Sequence, residues 1–347
     1  MKKPNQPRVE RSDGGLSRRD LMRALGLSAG GAALFGGSAL KGNAAFAASS
    51  SAAPVPRGAV GLVLDNSGTY LESSEGGNAI ASVVLEPPDG APTRRKRTGA
   101  IRYEDLRLQV GLAGMAPPLA AWVNNTMLKG PIRKSGALVY YDVNVQEMKR
   151  LEFHDAVLSE ISLSESDGAA AGKPALITLG LAPSSTRLVG PGGSPVTFHP
   201  AASKVPQANL FRLSIQGLEA ACRRVQKVSA ISAKRTQSSA GGEVKAEDLS
   251  LTPLDCGLIT ITINETDAAP FYTWFADFAL KGNNGRDGER PGRIEWVGAN
   301  MAGIVTAELG NLGIVRYAPG AQRLGATATT PPTEIDMYCE GWSLRYG

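Results

Sequence analysis

The chain has 347 residues, with 37 lysines and arginines against 32 aspartates and glutamates, for a formal charge of +5. Such an excess would point to a nucleic-acid partner, but it lies wholly in residues 1–47, which hold eight basic and three acidic side chains, leaving 29 of each in the rest. Recognition of nucleic acid by overall charge is therefore excluded, and the 300 residues beyond the N-terminal stretch suffice for two domains of ordinary size.

Residues 1–47 begin polar and basic, pass through Arg18-Arg19, and continue into a mild apolar run from Leu21 to Leu40 that contains five glycines. They close at Ala45-Phe46-Ala47, a small-x-small site of the kind a signal peptidase reads. The stretch resembles a twin-arginine export signal. It is too weakly apolar for a membrane anchor, which needs about 20 strongly apolar residues. Export would place the mature protein in the periplasm or outside the cell, with no membrane attachment after cleavage.

Beyond the leader, short β-rich runs dominate: 61–64, 106–110, 137–141, 176–179, 211–215, 258–263 and 293–297. Several alternate apolar and polar residues, as half-buried strands do. The chain reads as mainly β in the α+β class. One basic run remains, Arg94-Arg95-Lys96-Arg97, and its Pro/Gly-rich flanks make it a solvated loop.

One block is written twice. Residues 104–130 align with 256–282 at an offset of 152 without gaps, and seven of 27 positions are identical, among them Trp122/Trp274 and Gly130/Gly282. Each copy predicts a strand, a short polar connection, and a proline (Pro118, Pro270) opening a helix of about three turns. Leu119, Trp122 and Val123, and likewise Phe271, Trp274, Phe275 and Phe278, line one apolar stripe. Gly130 and Gly282 stop the helices, with Lys129 and Lys281 near the negative end. Four extra residues within 283–289 then change the offset to 156, at which Gly136/Gly292, Asn144/Asn300 and Glu152/Glu308 coincide. The expected organisation is a first domain over 48–188, a linker over 189–207 and a second domain over 208–347.

Each half resembles the T4-like phage tail tube protein family, whose fold is shared with the tube protein of type VI secretion. The first half carries the likeness from Pro118 to Leu163, through Trp122, Gly136, Asp142, Asn144, Glu152, Phe153 and Ala156, with "PALITLGLAP" at 174–183 closing it. The second half carries it more loosely, through "FYTWFADFALKG" at 271–282, "PGRIEWVGAN" at 291–300 and "GWSLRY" at 341–346. The resemblance implies two tandem β-barrel or sandwich domains, each with one flanking helix, that assemble into a ring or tube. With two domains per chain, three chains would close a pseudo-hexameric ring. The partners it implies are further copies of the chain and other tail-like or injection-apparatus components. Tubes of this family generally assemble in the cytoplasm, so an export leader departs from the pattern.

For an enzyme the sequence offers little. Its two histidines are His154 and His199. His154 neighbours Asp155 on a predicted strand, which points the two side chains to opposite faces, and His199 falls in the linker. The Gly-x-Ser-x-Gly match at 26–30 lies in the leader. No P-loop, dinucleotide fingerprint or Cys-x-x-Cys is present, and residues 283–289 lack calcium-loop spacing. The reading carries no catalytic residue, cofactor or metal. The three cysteines, Cys222, Cys256 and Cys339, leave open one disulfide with a thiol over, or three reduced thiols. A monomeric exported binding or adaptor module is the competing non-enzymatic reading, and assembly state separates the two.

Overall fold

The computed structural model describes residues 59–87, 93–192, 196–199, 205–235, 252–320 and 332–346. All of these belong to one compact unit covering 51–347. Arg18, Arg19, Ala45 and Ala47 of the expected export signal lie outside the described residues.

The fold is mainly β. In the first half, β1 (Val60–Leu64) reverses through Asp65 and Asn66, both at positive φ, into β2 (Ser67–Leu71), which runs on into β3 (Ser73–Gly76). Next come β4 (Ala79–Leu85), β5 (Lys96–Tyr103), β6 (Leu106–Gly111), helix α1 (Pro117–Lys129), β7 (Lys134–Tyr141) and β8 (Glu147–Leu163). Four short strands follow: β9 (Ser166–Asp167), β10 (Leu176–Ala182), β11 (Ser185–Val189) and β12 (Thr197–Phe198). The second half has β13 (Phe211–Ile215), a single helical turn α2 (Glu219–Cys222), β14 (Val225–Val228), β15 (Ile231–Arg235), β16 (Leu254–Cys256) and β17 (Ile259–Asn264). It ends with α3 (Ala269–Phe275), β18 (Arg290–Val297), β19 (Gly303–Ala318) and β20 (Pro332–Tyr346).

Hydrogen bonding orders the first sheet β1-β7-β8-β10-β6-β3 and the second β13-β18-β19-β20-β17-β14. Position by position these are corresponding strands, and the helix falls in the same place, after β6 and after β17. The backbone agrees in finer detail. Val145 and Met301, 156 apart, both take positive φ in the turns before β8 and β19. So do Asp155 and Asn311, again 156 apart, each at the register break of its long strand. Left-handed backbone is uncommon in such residues, so its recurrence at matched positions reflects the same bends in both halves.

The indole bonds follow the same rule. Trp122 Nε1 donates to the Ile132 carbonyl at 2.8 Å, and Trp274 Nε1 to that of Gly288 at 3.2 Å. The tryptophans are 152 apart and the acceptors 156 apart, so the four extra residues are absorbed between helix and acceptor.

α1 matches expectation, with Pro117 and Pro118 in its first turn, Leu119, Trp122 and Val123 buried, and Gly130 at φ +96 ending it. The second helix differs. Its α-helical part stops at Phe275, and Ala276–Leu280 widen into a π turn. The wide turn brings Phe278 to 6.1 Å from the Trp274 ring, and both side chains are buried.

The halves exchange elements. β15 pairs with the end of β8, Ile231 opposite Leu163 through Lys234 opposite Glu160, and carries β16 with it. In return β9 adds to the second sheet beside β14. Trp296 Nε1 donates to Ser166 Oγ at 3.0 Å across the halves. One continuous hydrophobic core runs from Leu62 to Leu344. Residues 196–199 of the expected linker are also docked: β12 pairs with β2, and Phe198 stacks on Tyr70 at 4.7 Å above Gly61 and Gly68. The absence of a Cβ at those two glycines makes room for the ring.

α1 itself ties the halves together. Asn124 Nδ2 donates to the Leu344 carbonyl and Asn124 Oδ1 accepts from the Leu344 amide, both at 2.8 Å. The side-chain amide thus stands in for a neighbouring strand. Asn124→Ala leaves both backbone groups without partners and should lower stability by about 1–3 kcal/mol. A shift of the urea midpoint measures this.

Candidate assembly surfaces

The most conspicuous surface is the β4–β5 hairpin. It forms a two-stranded sheet apart from the other two. Its strands pair from Ala79 opposite Tyr103 to Leu85 opposite Lys96. Almost every residue faces water, with Val83 68% and Ile101 60% exposed and Leu85 also out. An isolated two-stranded hairpin is marginal in water, and unpaired edges with exposed apolar side chains favour association. Apart from a small contact between β5 and β11, the hairpin is therefore an arm without a packing partner among the described residues. It is also basic: Arg94, Arg95, Lys96, Arg97 and Arg102 are all exposed. The basic run is solvated as expected, but Lys96 and Arg97 belong to β5 rather than to a loop.

The remaining sequence candidates disperse over the molecule. Trp122 and Trp274 are buried, and Gly130 and Gly282 take positive φ at the helix ends. His154 and Asp155 are both exposed. Asp155 sits at φ +47 in the β8 bulge, where the regular strand alternation is interrupted. His199 follows β12, its backbone N–H donating to the Gly68 carbonyl. The three cysteines are free thiols. Burial pushes Cys222 up to about 11 and Cys256 up to about 12, and it raises Cys339 as well. These thiols stay protonated at neutral pH and are poor nucleophiles. No group of His, Cys, Asp and Glu suited to a metal occurs among the described residues. Nor does any described helix have the length and apolarity to cross a membrane.

Charge pairing is structural. Asp336 accepts from Thr260 Oγ1 at 2.7 Å and is bridged by Arg316, which also holds Glu334. Burial alone would raise the Asp336 carboxyl; the Arg316 and Thr260 bonds outweigh it and hold the group below the usual carboxylate range.

No protein-family model and no curated protein matches the chain. Some solved structures are alike in part. A chain of the 6-fold symmetrised cryo-EM structure of the anti-feeding prophage baseplate is 14% identical, with a TM-score of 0.34, over 41% of this chain and 97% of its own. A chain of the cap that terminates the anti-feeding prophage tube is 14% identical, with a TM-score of 0.34, over 40% and 91%. A chain of the sheath–tube complex of an extracellular contractile injection system, in its extended state, is 18% identical, with a TM-score of 0.33, over 41% and 94%.

Proposed function

We propose that this is an exported, non-enzymatic structural protein that self-assembles into a ring or tube of the phage tail tube type, through contacts made by the β4–β5 arm. The arm carries this reading: a basic hairpin with Val83, Leu85 and Ile101 in water gains its packing from another molecule. The shared strand order supports internal duplication of a tube-like domain. Three chains then supply six such units and close a pseudo-hexameric ring. The twin-arginine-like leader directs the chain to the periplasm or beyond. Its partners are further copies and other tail-like or injection-apparatus components.

Light scattering with negative-stain imaging tests this on the chain and on a Val83→Asp, Leu85→Asp, Ile101→Asp variant. The parent should form three-chain rings or stacked tubes. The variant should stay monomeric with an unchanged circular dichroism spectrum, its association weakened roughly 100-fold or more. A strict monomer at high concentration for the parent would leave the monomeric binding or adaptor module as the function.

A further inference from the structure

Comparing the halves reveals a missing strand. In the first half β1 is flanked by β2, paired from Val60 opposite Leu71 to Leu64 opposite Ser67. In the second half the stretch after β13 is Gly217 and the single turn α2, and β13 pairs with β18 alone. The orientation of the free edge follows from the ladder. Gln216 N–H donates to the Pro291 carbonyl and Val297 N–H to that of Leu210, so residues 210, 212, 214 and 216 bond toward β18. By the antiparallel rule, the N–H and C=O of Phe211, Leu213 and Ile215 point the other way. Ile215 is satisfied by the Cys222 sulfur and the Leu218 amide. Phe211 and Leu213 have no such partner among the described residues.

Beside this edge lies a groove of about 560 Å³, walled by β13, by Cys222 and Arg223 at the end of α2, by Val225, and by Arg293 and Glu295 of β18. Its charges are unequal in their freedom. Arg212 pairs with Glu295 at 3.3 Å. The Glu219 carboxylate accepts the Gly217 amide at 3.0 Å, and its own backbone and that of Gly217 hold it below its ordinary range. Arg223 and Arg293 are exposed and have no ion-pair partner among the described residues.

The geometry points to a strand-acceptor site: the groove takes an extended segment of another protein, paired antiparallel along β13 as β2 is along β1, with carboxylates on that segment meeting Arg223 and Arg293. Main-chain bonds at Phe211 and Leu213 supply the docking, and the two guanidinium groups select acidic over basic sequences. The inference stands on the strand comparison and not on ring formation.

The probe is a fluorescent eight-residue peptide that alternates valine or threonine with glutamate, against a twin bearing lysine in place of glutamate. Both are titrated into the full chain by anisotropy, with hydrogen exchange read at the backbone. The acidic peptide should bind at least about tenfold more tightly than its lysine twin, and should slow exchange at the Phe211 and Leu213 amides. Arg223→Glu and Arg293→Glu should each weaken it about tenfold. Phe211→Pro removes an outward donor without touching the β18 ladder and should weaken binding with the far-ultraviolet spectrum intact. No binding up to millimolar peptide, equal binding of the two peptides, or protection elsewhere than β13 would overturn the proposal. So would saturation of β13 by a second copy of the chain. Peptide binding is read separately from assembly, so the groove and the arm fail or stand independently.

Discussion

Trp122→Ala should destabilise the protein by about 3–5 kcal/mol in chemical denaturation. The side chain is 1% exposed and lies under α1 among Leu119, Val123 and the strands of the first sheet. Truncation opens a cavity the size of an indole and strands the Ile132 carbonyl that accepts its N–H. Trp274→Ala should cost less. That indole keeps 4% exposure, its bond to Gly288 is longer, and Arg290 lies over its ring at 5.0 Å, with an aliphatic stem able to move in. Trp122→Phe separates the two effects, restoring most of the volume but not the bond. Equal losses for the two alanine variants would contradict this account.

The second large effect is expected from filling a glycine. A Cβ at Gly136 would stand 2.5 Å from the Val63 carbonyl oxygen and 2.7 Å from the Phe153 ring. A backbone oxygen in a ladder cannot step aside, so β1 must separate from β7. Gly136→Val should cost about 3 kcal/mol, at or beyond the upper end of ordinary overpacking. Gly292, 156 residues on, meets a Leu312 methyl at 2.6 Å and the Ser214 oxygen only at 3.3 Å. A methyl at the end of a leucine can rotate away, so Gly292→Val should cost roughly 1–2 kcal/mol. Gly111→Ala is the control, since nothing lies within 4 Å of its added Cβ, and its unfolding midpoint should barely move. The order Gly136, Gly292, Gly111 is the result to check.

Much of the fold was legible because burial leaves a period. Leu106-Arg107-Leu108-Gln109-Val110 alternates, and its burial alternates with it. Pro118, the Leu119–Trp122–Val123 stripe and Gly130 mark α1 nearly to the residue. The arm left no such trace. Neither of its faces is covered, so β4 and β5 have no alternation to read, and the basic run resembled a loop. Exchange of β9 and β15 was equally silent, because which strand edge a sequence pairs with is decided by backbone bonds rather than side-chain pattern. The docking of Phe198 depends on two glycines more than 100 residues earlier. The groove beside β13 became visible only once the strand orders stood side by side, since the sequence shows a turn there and not a missing neighbour. The reading of Arg18, Arg19, Ala45 and Ala47 as an export signal rests on sequence alone.

The exchange between halves also sets a timetable for synthesis. β8 ends at Leu163, but the strand that covers its edge at Glu160–Leu163 is β15, and β16 beyond it ends at Cys256. At about 5–20 residues per second on the ribosome, that edge waits several seconds or more, bare and able to pair with the wrong neighbour. The first half thus completes its pairing only after β15 has been made, and the chain reaches its final pairing only when nearly all of it has been made.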